Sequence, residues 1–376
     1  MSRVTPPERV ALAAVAILTG LAGVANYMQW AAVPRFFVAT LALAGLAWTV
    51  SFGTEQLGER FGPAVTGMLQ STLGNLPELF VVVFALQKGE LIVAQTAIVG
   101  SLFANAMLVL GLVIVVGARR APERVMRFSH RLPRDTTTLL LVTVFIIVLL
   151  GLSLGSHDPA SRHVDGISAV GAVSLLVVYV AWAVPYLRSD TVPGTSRSEL
   201  VQEQARGQRG SRPRAHGEDR HSQPRLSLAA TLAMLAIGGV GSAFVSDWFV
   251  NALAPAIDQL HISKAFAGLV IVAIAGNAVE NAAGLVLAWK GRSDLAISVV
   301  KNSVAQIAAF LFPLLVLISF ALNTTLTFAL APVYVGALAL MALAMWQVTA
   351  DGEAAAFEGW ALVALYLILA TLALYE

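Results

Sequence analysis

Long apolar runs separated by short polar breaks dominate this chain. Eleven can be drawn, at about 10–30, 34–57, 64–87, 91–117, 136–155, 165–187, 226–251, 264–289, 293–321, 326–349 and 358–375. Each comes near the length a helix needs to cross about 30 Å of hydrocarbon at 1.5 Å per residue. The pattern predicts an all-α polytopic membrane protein with about 11 transmembrane helices. The first run is too long for a signal-peptide core and lacks a small-x-small cleavage site, so it reads as a retained helix. Residues 188–225 interrupt the pattern with eight arginines, five acids and almost no apolar side chain. Such a segment cannot bury a core and reads as a disordered linker. The predicted organisation is an N-terminal helix (1–33), a five-helix repeat (34–187), the linker (188–225) and a second five-helix repeat (226–376).

Composition strengthens this picture. The chain is 57% hydrophobic and 12% charged, with a mean hydropathy of +0.77, whereas soluble domains are about 25% charged. The absence of cysteine excludes disulfides, thiolate metal sites and iron–sulfur clusters. Where the basic residues fall sets orientation. Arg119, Arg120, Arg124, Arg127, Arg131 and Arg134 share one predicted face with Lys290, Arg292 and the linker. The opposite face has few, among them Lys88, Arg162 and Lys264. The N-terminus and linker are therefore expected in the cytoplasm and the C-terminus outside, in a bacterial inner membrane. Trp30, Trp182, Trp289 and Trp360 sit near span ends, where aromatic anchors belong. The expected partners are the lipid bilayer and inorganic cations, with no nucleic acid and no cofactor.

The candidate chemistry is a duplicated motif. Gly-Asn-x-x-Glu occurs at Gly74–Glu78 and again at Gly276–Glu280, 202 positions later and each time inside an apolar run. The same offset maps Lys88-Gly89 onto Lys290-Gly291 and Ser101 onto Ser303. The two copies lie five predicted spans apart, so they traverse the membrane in opposite directions. That is an inverted-topology repeat, an architecture of secondary transporters. A carboxylate at the bilayer centre costs roughly 2.5–3.5 kcal/mol on insertion scales, which points to use rather than accident. Gly-Asn weakens the helix, and Pro77 removes a further backbone donor. Freed carbonyls, Glu78, Glu280, Asn75 and Asn277 then offer hard oxygens. The next span in each half adds Ser101 with Asn105, and Ser303 with Gln306, each pair sharing a helix face. The set suits Ca²⁺, Na⁺ or Mn²⁺ rather than soft metals. Gln95, Ser298 and Asn281 are expected to make ordinary structural hydrogen bonds. Glu55 and Asp247, near span ends, either line an access path or are solvated at the interface.

Charge suggests a cycle. Two carboxylates balance one divalent cation or two protons, so mutually exclusive loading gives exchange. There is no Walker-type motif for a pump, and the six histidines fall outside the predicted spans. A passive channel and an intramembrane enzyme are the other classes. The inverted repeat with its buried acids opposes the channel, and the lack of a His-Glu-x-x-His motif opposes the enzyme.

These residues resemble the calcium/cation antiporter superfamily, closest to its cation/proton exchanger branch. The resemblance covers about 54–111 and 246–313. It includes Thr54-Glu55, Gly62-Pro63, Gly74–Leu79, Gly100-Ser101, Ser246-Asp247, Gly276–Glu280, Asp294–Ala296, Ser303–Gln306 and Pro313. It implies an eleven-helix fold and alternating access around Glu78 and Glu280, with export of Ca²⁺ against protons. It also implies that Asn75, Asn277, Ser101, Ser303 and Gln306 line the site. Three positions depart from the family pattern. Asn281 stands where a histidine usually follows the second glutamate, Asn302 where a glycine usually precedes the serine, and Lys301 where the family is normally apolar. A lysine facing the site would favour a monovalent ion, and together with the missing histidine this keeps Na⁺/H⁺ or K⁺/H⁺ exchange as the alternative. Lys301 lies two residues from Ser303, about 200° around a helix. It is therefore expected to point away from the site and to snorkel toward the cytoplasmic surface.

Overall fold

The computed structural model describes residues 4–58, 60, 72–121, 123–129, 131–188 and 226–376, except for the side chains of 58, 131–134, 186–188, 279 and 280. The predicted linker, Gly62-Pro63 and the first part of the third span fall outside the described residues. The elements are α1 (Pro6–Tyr27), α2 (Ala32–Gly58), α3 (Leu76–Gln87), α4 (Leu91–Arg120), α5 (Arg131–Gly155), α6 (Val164–Arg188), α7 (Leu228–Leu260), α8 (Lys264–Gly276), α9 (Ala278–Trp289), α10 (Ser293–Ser319), α11 (Pro332–Thr349) and α12 (Ala356–Leu374). Among the described residues nine helices are long and apolar enough to span a bilayer, or ten if the bent pair α8–α9 counts as one span. The 12-residue α3 makes up most of the described part of the third predicted span, after a short helical stretch at 72–74 and the break at Asn75.

The helices separate into lipid-facing and buried sets. Phe145, Leu149 and Leu152 of α5, Ile237 and Val240 of α7, and Leu367 and Ile368 of α12 are large apolar side chains on the outer surface. Such exposure is costly in water and costs nothing against lipid tails. By contrast α4 is buried over nearly its whole length. Small residues let it run through the middle of the bundle. A Cβ on Gly100 would come within 2.5 Å of the Leu269 backbone, and one on Gly268 within 2.0 Å of Thr96 Oγ1. Glycines thus bring α4 and α8 into backbone contact, as small residues do at membrane helix crossings.

The two halves repeat in detail. Helix α3 begins after a break at Asn75 and α9 after a break at Asn277, and each runs for 12 residues. Both end in a Lys-Gly pair whose glycine has positive φ, 77° at Gly89 and 74° at Gly291. That backbone conformation is open to glycine and strained for other residues. The long helix that follows each break contains a π-helical turn, Ala104–Val109 in α4 and Ile307–Leu311 in α10.

One contact was absent from the sequence reading. Residues 125–127 (β1) and 353–355 (β2) form a short antiparallel ladder pairing Val125 with Ala355 and Arg127 with Glu353. It joins the α4–α5 and α11–α12 connections, and so fixes both on the face that carries Arg119 and Arg120. Those arginines lie over the rings of Trp360 and Trp289, at 5.8 and 3.7 Å from the ring centres.

Candidate functional site

The site is built on the two helix breaks. Asn75 and Asn277 have nearly the same backbone conformation, φ −82° and ψ 2° against φ −104° and ψ 16°. Neither is a conventional helix residue. Each carbonyl still accepts from the residue four positions on, Leu79 at 2.9 Å and Asn281 at 3.0 Å. Pro77 is not required for the break. The second copy has no proline, yet α8 and the following helix meet at 57°. Gly-Asn alone suffices because glycine is a poor helix former and asparagine competes for backbone hydrogen bonds.

Each break places its glutamate in the first turn of a new helix. Glu78 lies in the first turn of α3, and Glu280 occupies the corresponding backbone position in α9. A helix N-terminus stabilises a negative charge, which offsets part of the cost of burying one. Glu78 is 1% exposed. Its Cβ sits close to Gly276, where an added Cβ would be 3.7 Å away. The first glutamate therefore packs directly on the second motif. The side chain of Glu280 is outside the described residues.

Amide and hydroxyl groups converge beside this contact. Asn277 Nδ2 donates to Ser101 Oγ at 2.8 Å and to the Ala273 carbonyl at 3.0 Å. Asn105 Nδ2 donates to Asn277 Oδ1 at 3.2 Å and lies 3.4 Å from Ser303 Oγ. Residues from both halves thus form one buried polar chain, Ser101–Asn277–Asn105–Ser303. The Asn105 Oδ1 and Gln306 Oε1 atoms are buried without a hydrogen-bond partner. Carbonyl oxygens of this kind are ligands for hard cations. The described contacts do not tie Asn75 or Gln306 into the chain, although both side chains are buried.

The remaining predicted residues sort clearly. Gln95 spends its amide on the Ala329 carbonyl at 3.1 Å, the structural role expected of it. Asn281 and Asn302 are half-buried, each with a side-chain oxygen lacking a partner. Glu55 is exposed near the end of α2. Asp247 pairs with Lys88 at 2.7 Å, a contact the sequence reading missed.

Lys301 corrects one expectation. It points away from Ser303, as its helical position requires, but it does not snorkel. It is 2% exposed, and its Nζ donates to Thr349 Oγ1 at 2.7 Å and Thr137 Oγ1 at 3.1 Å. The ends of α5 and α11 close over the amine and supply acceptors, so it need not reach water.

Comparison with known proteins identifies the family. The sodium/calcium exchanger protein family matches residues 31–184 and 230–375. The chain is 31% identical over 350 residues to a vacuolar calcium ion transporter of Schizosaccharomyces pombe, covering 92% of this chain and 80% of that one. It is 28% identical to a Ca²⁺/H⁺ antiporter of Synechocystis, covering 92% of both chains. The solved structure of native YfkE superposes with a TM-score of 0.76 at 24% identity, over 96% of this chain and 98% of that one. With two inverted halves meeting at paired helix breaks, and this family covering both, the chain belongs to the sodium/calcium exchanger protein family.

Proposed function

We propose that this protein is a Ca²⁺/H⁺ antiporter working by alternating access, with Glu78 and Glu280 as the shared carriers of cation and protons. The observation that carries the reading is the meeting of the two motifs, with Glu78 packed on Gly276 and Asn277 bonded to Ser101 and Asn105. Symmetry of the backbone puts Glu280 in the same relation to its own helix break. Two carboxylates neutralise one Ca²⁺ or bind two protons, and either load lowers the cost of crossing an apolar barrier. Asn75, Asn277, Ser101, Ser303, Asn105 and Gln306 supply the neutral oxygens and hold the acids in register.

The named relatives support Ca²⁺ and protons as the exchanged ions. The monovalent alternative rested on a lysine facing the site and on Asn281 in place of the usual histidine. Lys301 spends its amine on Thr137 and Thr349 instead, which removes the first of these grounds. By the distribution of basic residues, the face bearing Arg119, Lys290 and the β1–β2 ladder is cytoplasmic, and the face bearing Lys88 is external.

The test is ion flux in inside-out membrane vesicles under an imposed pH gradient. Ca²⁺ uptake should depend on the gradient, with Na⁺ and K⁺ failing to compete. Full activity in Glu78→Gln or Glu280→Gln would overturn the carrier assignment.

A further inference from the structure

The duplicated Lys-Gly pair lies outside the proposed cation site, and its two copies behave differently. Lys88 caps α3 and spends its amine on α7. Its Nζ donates to Asp247 Oδ1 at 2.7 Å, to Asn251 Oδ1 at 2.7 Å and to the Asp247 carbonyl at 3.2 Å. Asn251 Nδ2 completes the ring to Asp247 Oδ2 at 3.1 Å. All three ammonium protons are used, and the acceptors are one helical turn apart on α7. Lys290 caps α9 with the same backbone geometry and the same following glycine. It is exposed, and among the described residues its side chain makes no hydrogen bond or ion pair.

The position of the Lys88 clasp gives it meaning. The preceding residue of α7, Ser246, is fully buried and directs its Oγ at the Pro77 carbonyl, 3.5 Å away. Adjacent α7 residues therefore touch α3 beside Glu78 and at its far end, so α7 covers the side of α3 that leads from Glu78 to the Lys88 face. Helix α2 opens the first half as α7 opens the second. It carries Glu55 near its end, on the face to which α9 delivers Lys290.

We propose that Lys88, Asp247 and Asn251 form a clasp that holds the Lys88 face shut, and that Lys290 makes the corresponding contact with Glu55 when the opposite face shuts. These are positioning residues that act on access to the site and touch no ion. The inference rests on the alternating-access reading above.

The chain has no cysteine, so Ser246→Cys supplies a sole thiol under the clasp. In reconstituted vesicles, a membrane-impermeant thiol reagent applied from the Lys88 face should label it slowly. Adding Lys88→Met or Asp247→Asn should speed labelling about two- to fivefold, in keeping with a partly exposed ion pair. The exchange Lys88→Asp with Asp247→Lys should restore slow labelling, which a merely misfolded variant would not. In flux assays, Lys88→Met should raise the half-saturating Ca²⁺ at the opposite face by a similar factor, because fewer carriers face that way. Lys290→Met should lower it. Unchanged labelling in both clasp variants, or the same direction of shift for both lysines, overturns the proposal and leaves the exchanger reading intact. Wild-type vesicles without Ca²⁺ movement would overturn the exchanger reading, and the labelling rates would still decide the clasp.

Discussion

Asn277 occupies the centre of the polar chain and bears the most bonds in it. Replacing it with alanine leaves Ser101 and Asn105 each short of a partner in a buried setting, where an unmade bond costs about 1–3 kcal/mol. Asn277→Ala should therefore lower thermal stability and raise the half-saturating Ca²⁺ about tenfold in vesicle flux. Lys301 should behave differently. Replacing a buried charge with an apolar side chain of similar volume is often neutral or stabilising. Lys301→Met should keep or raise the melting temperature of the detergent-solubilised protein, since Thr349 retains its 2.7 Å bond to the Met345 carbonyl. Thr349→Val, which removes the amine's nearer acceptor, should lower it. These two side chains also mark how far residues were legible from sequence. Helical geometry gave the direction of Lys301, and the repeat picked out Glu78 and Asn277. The fate of the lysine depended on hydroxyls 164 and 48 positions away, and no local pattern joins them.

The helices owe their arrangement to a few short signals. Gly-Asn breaks α3 from its preceding turn and α8 from α9, and this was readable because both residue types oppose helix continuation. The crossing of α4 and α8 was only half readable. Gly100 stood in a recognisable motif, but Gly268 did not, since a lone glycine in an apolar run carries no signal of what approaches it. Gly268→Ala should be costly, because its Cβ would meet both Thr96 Oγ1 and the Val93 carbonyl, at 2.0 and 2.9 Å. Overpacking of this kind costs about 1–3 kcal/mol. Gly336→Ala in α11, with nothing within 4 Å of the added atom, should be neutral or stabilising. Thermal denaturation of the two variants in one detergent compares them directly. The β1–β2 ladder was invisible in the sequence, because three-residue strands lie below any periodicity.

At the scale of the molecule, two halves inserted in opposite senses bring equivalent helix breaks together in the interior. The inverted repeat could be read from charge placement and a constant offset of 202 residues, since both survive without knowledge of packing. Which groups bond across the halves could not, because Asn105, Asn277 and Ser303 meet only once the fold exists. Each acid sits in the first turn of its helix, so the proposed exchange draws one carboxylate from each half. The most direct test is Ca²⁺-dependent proton movement in inside-out vesicles, comparing wild type with Glu78→Gln and Glu280→Gln. The account predicts coupled flux in the wild type and its loss in each single variant. Proton movement independent of Ca²⁺, or undiminished coupling in either variant, would contradict it.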